Sequence, residues 1–324
     1  MLSDLARHVG VGRAVQSAVF RAGVYGHRPP VPVAPAALAA AARRRMSATG
    51  WAYVAGGAGA ERTMAANAAA FARHRIVPRQ MVDVGRRDLS TTLLGRELPA
   101  PLLLAPIGAL ELAVRGPARA EPELARAARD LGLPVMISSQ ASTPMEDTAR
   151  TLGDAPRWFQ LYWSDHDAVV ESFVARAEAS GAGALVVTLD THVLGWRPRD
   201  LDLGYLPFAR GQGIAQYTSD PAFRRLVEAR ARGLLPDGGA VPPSGPAPRP
   251  TPAAVRSLLT MARRFPGPTA ANLRSPLPRA AVETFLEVLR TGMPPSNTKK
   301  PPPPGQTLRG GGFCVSGRVL DEGL

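Results

Sequence analysis

The chain has 324 residues, 45% of them hydrophobic, enough to bury one large core or two small ones. One cysteine, Cys314, excludes an internal disulfide and points to a reducing compartment, with the cytoplasm as the expected location. The net charge of +13 suits anionic partners, but nearly all of it is arginine dispersed among Ala and Glu, so small anions are expected rather than nucleic acid.

The first residues, MLSDLARHVGVGRAVQSAVF, contain Asp4, Arg7 and Arg13 and no continuous apolar run, so no signal peptide is expected. No stretch reaches the ~18 apolar residues of a membrane span. The longest candidate, PAPLLLAPIGALELA, is interrupted by Pro101 and Pro106.

Four segments read as strands that end in polar or small residues: PLLLAPIG (101–108), PVMISSQAS (134–142), RWFQLYWS (157–164) and GALVVTLDTHVLGWRPRD (183–200). Helical patterns lie between them. PELARAARDLGL (122–133) ends at Gly132. STPMEDTARTLG (142–153) opens with a capping box, Thr143 to Glu146, with Pro144 at the first helical position. The third starts at Ser164 or Asp165 and ends at Gly181, with Val169, Val170, Phe173, Val174 and Ala177 in the 3.6-residue period.

Alternating strands and helices imply βα units and a parallel sheet. The strands are apolar throughout, as in sheets buried on both faces. A (β/α)8 barrel and a doubly wound sheet both fit this pattern. The polar residues favour the barrel, whose active sites are built at the C-terminal strand ends. Ser138 and Ser139, Gln160 and Tyr162, and Thr188, Asp190 and Arg197 all fall there. No Gly-rich phosphate turn follows the first strand, as a Rossmann unit requires. Residues 1–235 thus read as about the first four βα units of an α/β TIM-barrel fold. Residues 236–290 read as a Pro-rich loop and helical insert, with helices over 252–265 and 278–290. Residues 291–324 lack apolar periodicity and read as a disordered, Pro-rich tail.

Over roughly residues 40–235 the chain resembles the FMN-dependent 2-hydroxy acid oxidoreductases, the family of glycolate oxidase and lactate oxidase. The resemblance rests on motifs in order: YVAGGAGAERTMAANAAAFARHRIVPRQMVDV (53–84), DLSTTLLGRELPAPLLLAPIG (88–108), ISSQAS (137–142), WFQLYW (158–163) and LVVTLDTHVLGWRPRD (185–200). DLGYLPFARGQGIAQYTSDPAF (202–223) resembles the lactate 2-monooxygenase-like branch. The resemblance implies FMN as cofactor, a small lactate-like 2-hydroxy acid as substrate, its 2-oxo acid as product and a homo-oligomer. It implies that the backbone at Ala105, Pro106, Ile107 and Gly108 lies against the flavin, and that Ser139, Gln160 and Thr188 hydrogen-bond the ring system. Tyr53, Tyr162 and Arg197 would bind the substrate, Arg197 gripping the carboxylate with its planar fork. Asp190 has either a turn-capping or a functional role. His192 stands where relatives usually have Pro. No metal is implied.

The resemblance also implies a second half barrel, with a Lys on strand five, an SNHGGR-type motif carrying the base His, and phosphate-binding motifs on strands seven and eight. The lysines are Lys299 and Lys300, in KKPPPP, which is not a barrel strand. The histidines His8, His27, His74, His166 and His192 all precede strand five, and none is followed by Gly-Gly. DGG at 237–239 sits in a Pro-rich loop and is not read as the phosphate site. The expectation is a truncated or frameshifted product without a catalytic base. The alternatives to a functioning enzyme are an inactive fragment or a binding and assembly module. Four parallel strands leave open edges, so poor solubility or oligomerisation is expected unless a partner completes the sheet.

Overall fold

The fold comes from a computed structural model that describes residues 11–83, 87–115, 120–164, 166–189, 194–234 and 251–290, and the backbone of 312–315. The chain forms two compact units, Met1–Ala48 and Thr49–Leu324. The first contains α1 (Val11–Val24) and α2 (Pro35–Arg45). Helix α2 starts on Pro35, where a missing N–H costs nothing, and ends on Arg43, Arg44 and Arg45, which suit the negative end of the helix dipole.

At the start of the second unit lie α3 (Ala48–Ala55), α4 (Arg62–Phe71) and a small antiparallel hairpin, β1 (Thr91–Leu93) with β2 (Arg96–Leu98). Leu94 and Gly95 turn the hairpin at φ 50° and 72°. Three helix–strand pairs follow: α5 (Ala120–Leu131), β3 (Val135–Ser138), α6 (Met145–Leu152), β4 (Arg157–Tyr162), α7 (Asp167–Ala179) and β5 (Ala184–Thr188). The three strands are parallel and adjacent, and their ends align: Ser138 opposite Gln160, and Tyr162 opposite Thr188. Ile137, Phe159, Leu161, Leu185 and Val187 join the main core, while Trp158, Ala184 and Val186 form a second buried cluster. The strands are mostly apolar because both faces are covered, the exceptions being Arg157 and the polar groups towards their C-terminal ends, Ser138, Gln160 and Thr188.

The expected first strand, 101–108, contributes only a parallel bridge between Leu104 and Val135. Leu104 N donates to Pro134 O at 2.9 Å, and Met136 N donates to Leu104 O at 3.0 Å. Pro101 and Pro106 have no N–H to extend this pairing into a ladder. At the other edge, β6 (Gly312–Val315) pairs in parallel with Ala184–Val187. The sheet order is therefore β3-β4-β5-β6, with no barrel closure among the described residues. The expectation of disorder from Thr291 onward is corrected at Gly312–Val315, where the backbone is a strand. The rest of that stretch, like the Pro-rich residues 235–250, lies outside the described residues.

The expected capping box of α6 does not form. Thr143 Oγ1 donates to Glu121 Oε2 at 3.3 Å instead, and Glu146 accepts from Arg176 Nε at 2.7 Å. The tertiary partners outcompete the local bond, so Pro144 opens the helix with no side-chain cap. Helix α7 starts at Asp167, later than Ser164 or Asp165, and turns out through Gly181 at φ 75°. Val169, Val170, Phe173 and Ala177 are buried, as their spacing requires.

Beyond the sheet come α8 (Pro198–Asp202), α9 (Ala215–Thr218), α10 (Pro221–Ala231), α11 (Pro252–Arg264), α12 (Thr269–Asn272) and α13 (Leu277–Arg290). Helix α13 packs on α10: Arg230 Nε donates to Thr284 Oγ1 at 2.9 Å and the Arg230 guanidinium pairs with Glu287. Phe285 packs at a tilt against Phe208 and edge-on against Tyr217, at 5.3 and 4.8 Å between ring centroids. The helices after the Pro-rich stretch therefore share the core of the βα units.

Candidate active site

The C-terminal ends of β3, β4 and β5 carry a connected polar line. Gln160, 2% exposed, is its centre. Its Oε1 accepts from Ser138 Oγ at 3.2 Å and from Ser139 N at 3.4 Å. Its Nε2 donates to Thr188 Oγ1 at 2.8 Å. Parallel register sets Ser138 opposite Gln160, and Gln160 reaches on to Thr188, two residues beyond Val186, its own partner on β5. Ser139 is fully buried, and its Oγ accepts from Tyr162 N at 3.4 Å and shares a hydrogen bond with the Tyr217 hydroxyl. Burial pushes the Tyr217 phenol well above its ordinary pKa, so it is neutral.

Residues 105–108 run past this line. Ala109 N donates to Gln140 O at 2.9 Å, tying the segment to the turn after β3. A Cβ on Gly108 would stand 3.1 Å from Gln140 Oε1, so a side chain there would press on Gln140. Ala109 itself is left-handed at φ 50°. Its methyl is met from the other side by Gly213, at φ 70°, where an added Cβ would lie 2.8 Å away. Ala105 and Ile107 are exposed and Pro106 is half-buried.

The third group comprises Tyr53, Arg197 and Asp200. Arg197 Nε donates to Asp200 Oδ2 at 2.6 Å, and Nη2 donates to the Tyr53 carbonyl. The guanidinium carbon lies 5.1 Å from the centroid of the Tyr53 ring, a cation–π distance. The opposite contact of Tyr53 is an edge-on Phe208 at 6.3 Å. Burial pushes the Tyr53 hydroxyl up to about 12. The Arg197 charge opposes this shift, while Tyr162, Asp200 and Tyr205 add to it. At neutral pH it is a hydrogen-bond donor, not an anion.

The fold thus brings Ser139, Gln160 and Thr188 together, with Tyr162 opposite Thr188, and separately brings Tyr53 to Arg197. Asp190 and His192 lie outside the described residues. Asp200 and Tyr217 were not legible as site residues in the sequence. Their roles arise from neighbours distant in the chain, and no local pattern marks them.

The polar line fits one edge of a planar heteroaromatic ring such as the isoalloxazine of FMN. Gln160 keeps a second Nε2 hydrogen beyond the one given to Thr188. The Thr188 hydroxyl accepts from Gln160 and so keeps its own hydrogen to donate. No cluster of three or more His, Cys, Asp or Glu able to hold a metal exists among the described residues. No helix among them is long and apolar enough to cross a membrane.

Residues 42–249 match the family described as FMN-dependent dehydrogenase. The chain is 38% identical over 216 residues to the FMN-dependent alpha-hydroxy acid dehydrogenase qulF of Penicillium citrinum, covering 66% of this chain and 53% of that protein. It is 38% identical over 196 residues to the L-lactate oxidase of Lysinibacillus sphaericus, covering 60% and 50%. Among solved structures, a mandelate oxidase with 3,3-difluoro-2-hydroxy-3-phenylpropionic acid matches with a TM-score of 0.51 and 33% identity, over 62% of this chain and 58% of that one. The chain spans about half the length of the curated relatives it matches. A family match over more than half the chain, with the strand-end polar line at its centre, leads to one conclusion: this chain belongs to the FMN-dependent dehydrogenase family.

Proposed function

We propose that this chain provides the ring-edge and carboxylate-recognition half of an FMN-dependent oxidoreductase that converts a small, lactate-like 2-hydroxy acid to its 2-oxo acid. The observation that carries this reading is the hydrogen-bonded line of Ser139, Gln160 and Thr188 beside the Tyr53–Arg197 pair. Bound FMN supplies the acceptor for the hydrogen on the substrate's α-carbon. Gln160 and Thr188 offer donors to the ring's polar edge, and residues 105–108 flank its plane. Arg197 offers a planar fork to a planar carboxylate. Tyr53 keeps a neutral hydroxyl that donates to the substrate's oxygens, and Tyr162, at the end of β4, is placed for the same substrate. The substrate's hydroxyl proton needs a base, and the sequence holds no His-Gly-Gly motif to provide one.

The expected behaviour is binding without turnover. Titrating the full chain with FMN and recording the visible spectrum after gel filtration tests it. Retained flavin with a perturbed spectrum, not bleached by anaerobic L-lactate or glycolate, is the expected result. A chain that passes the column colourless overturns the flavin-binding reading. Stoichiometric bleaching by either acid overturns the reading without turnover. The parallel sheet, not closed among the described residues, favours a second reading, a module completed by another copy or by an intact relative. A monomer by light scattering, at concentrations up to the solubility limit, argues against assembly with a second copy.

A further inference from the structure

We propose that Asp200 is a positioning residue that aims the Arg197 guanidinium at the substrate carboxylate; this rests on the role proposed above for Arg197. Asp200 is 6% exposed. One oxygen accepts from Arg197 Nε at 2.6 Å. The other, Oδ1, is buried without a donor among the described residues. A buried acceptor left unpaired costs stability, so packing alone does not account for a carboxylate here.

The geometry gives it a use. The bonds from Nε to Asp200 and from Nη2 to the Tyr53 carbonyl fix the plane of the guanidinium. Nη1 and the second Nη2 hydrogen form the remaining edge, and no hydrogen bond to that edge occurs among the described residues. That edge is the two-pronged end that matches a carboxylate. The backbone beneath is tied down as well. Gly59 N donates to Trp196 O at 2.8 Å, the Arg199 guanidinium pairs with Glu61, and Asp200 N donates to Arg197 O at 3.1 Å. With both flanks held, the side-chain torsions of Arg197 are its remaining freedom, and Asp200 removes it.

Simple charge balance predicts the reverse of this role. A carboxylate 2.6 Å from the arginine weakens the pull on any anion, so its removal ought to tighten binding. Calorimetric titration of the full chain with oxalate, a planar dicarboxylate, separates the two. For Asp200→Ala the expected result is oxalate binding weakened at least fivefold, despite the gained positive charge. Asp200→Asn keeps an oxygen that accepts from Nε, and is expected within twofold of the parent chain or tighter. Asp200→Glu keeps the charge but shifts the acceptor by one methylene, and is expected to weaken binding as Ala does. The Asn and Glu variants decide the question even if the Ala variant fails to fold by circular dichroism. If Glu binds like the parent, or Ala binds equally or more tightly, the positioning role is overturned and the carboxylate site stands. If the parent shows no oxalate binding that Arg197→Met removes, the role of Arg197 falls, and with it that of Asp200.

Discussion

At the scale of single residues, the site is held by groups whose protonation is fixed by burial. Tyr53 has its hydroxyl raised from 10 to about 12. The folded state therefore keeps a proton that the unfolded state releases between those values. The stability this contributes is fully present below pH 10 and is lost as pH rises towards 12. The span is worth about 3 kcal/mol at most. Urea unfolding at pH 9 and pH 11 should show a smaller loss for Tyr53→Phe than for the parent chain. Equal losses would mean that Tyr53 ionises normally in the folded protein. Gln160, Ser139 and Thr188 were legible in the sequence because polar groups end three successive apolar runs. Asp200 and Tyr217 were not, because what makes them part of the site is a neighbour: Arg197 for one, Ser139 for the other.

At the scale of elements, strands β3, β4 and β5 were readable because a strand covered on both faces has an unmistakable apolar run. The segment 101–108 looked equally apolar, yet its two prolines reduce it to one bridge. The capping box of α6 was a sound local pattern overridden by Glu121 and Arg176. Arg176 is the junction of four helices. It is 14% exposed and reaches Glu146 on α6, the Gln216 carbonyl on α9, Ser219 Oγ, and Asp220 at the start of α10. Asp220 is fully buried, and accepts from Phe223 N at 2.8 Å and Ser172 Oγ at 2.6 Å as well. Arg176→Met should cost about 3–5 kcal/mol in urea unfolding, because it leaves a buried carboxylate short of its counter-charge. Arg176→Lys should recover only part, since one ammonium cannot replace a fork that meets three helices. A cost below about 1 kcal/mol for the Met variant would show the junction to be incidental.

At the scale of the whole molecule, the helices after the Pro-rich stretch are integral to the second unit. Phe285 is 1% exposed and lies against Phe208 and Tyr217, and Tyr217 in turn contacts Phe173 and Phe223. Phe285→Ala should cost about 3–5 kcal/mol and raise binding of a hydrophobic dye at moderate denaturant. An unchanged unfolding midpoint would mean that α13 is dispensable. Sequence spacing located these helices but gave no sign of where they dock, because amphipathic periodicity names a buried face without naming its partner. Strand β6 was illegible for a related reason. GFCV is short, sits amid Gly and Pro, and has no alternation to report.

The pairing of β5 with β6 has a consequence for how the chain is made. Strands β3, β4 and β5 meet partners about one helix away, so their loops close early and cheaply. Strand β6 must find β5 across residues 189–311. During synthesis from the N-terminus, β5 leaves the ribosome long before Gly312 does. For that interval its outer row of amides and carbonyls is an unpaired template, and a ribosome-proximal chaperone or a neighbouring nascent chain competes with β6 for it.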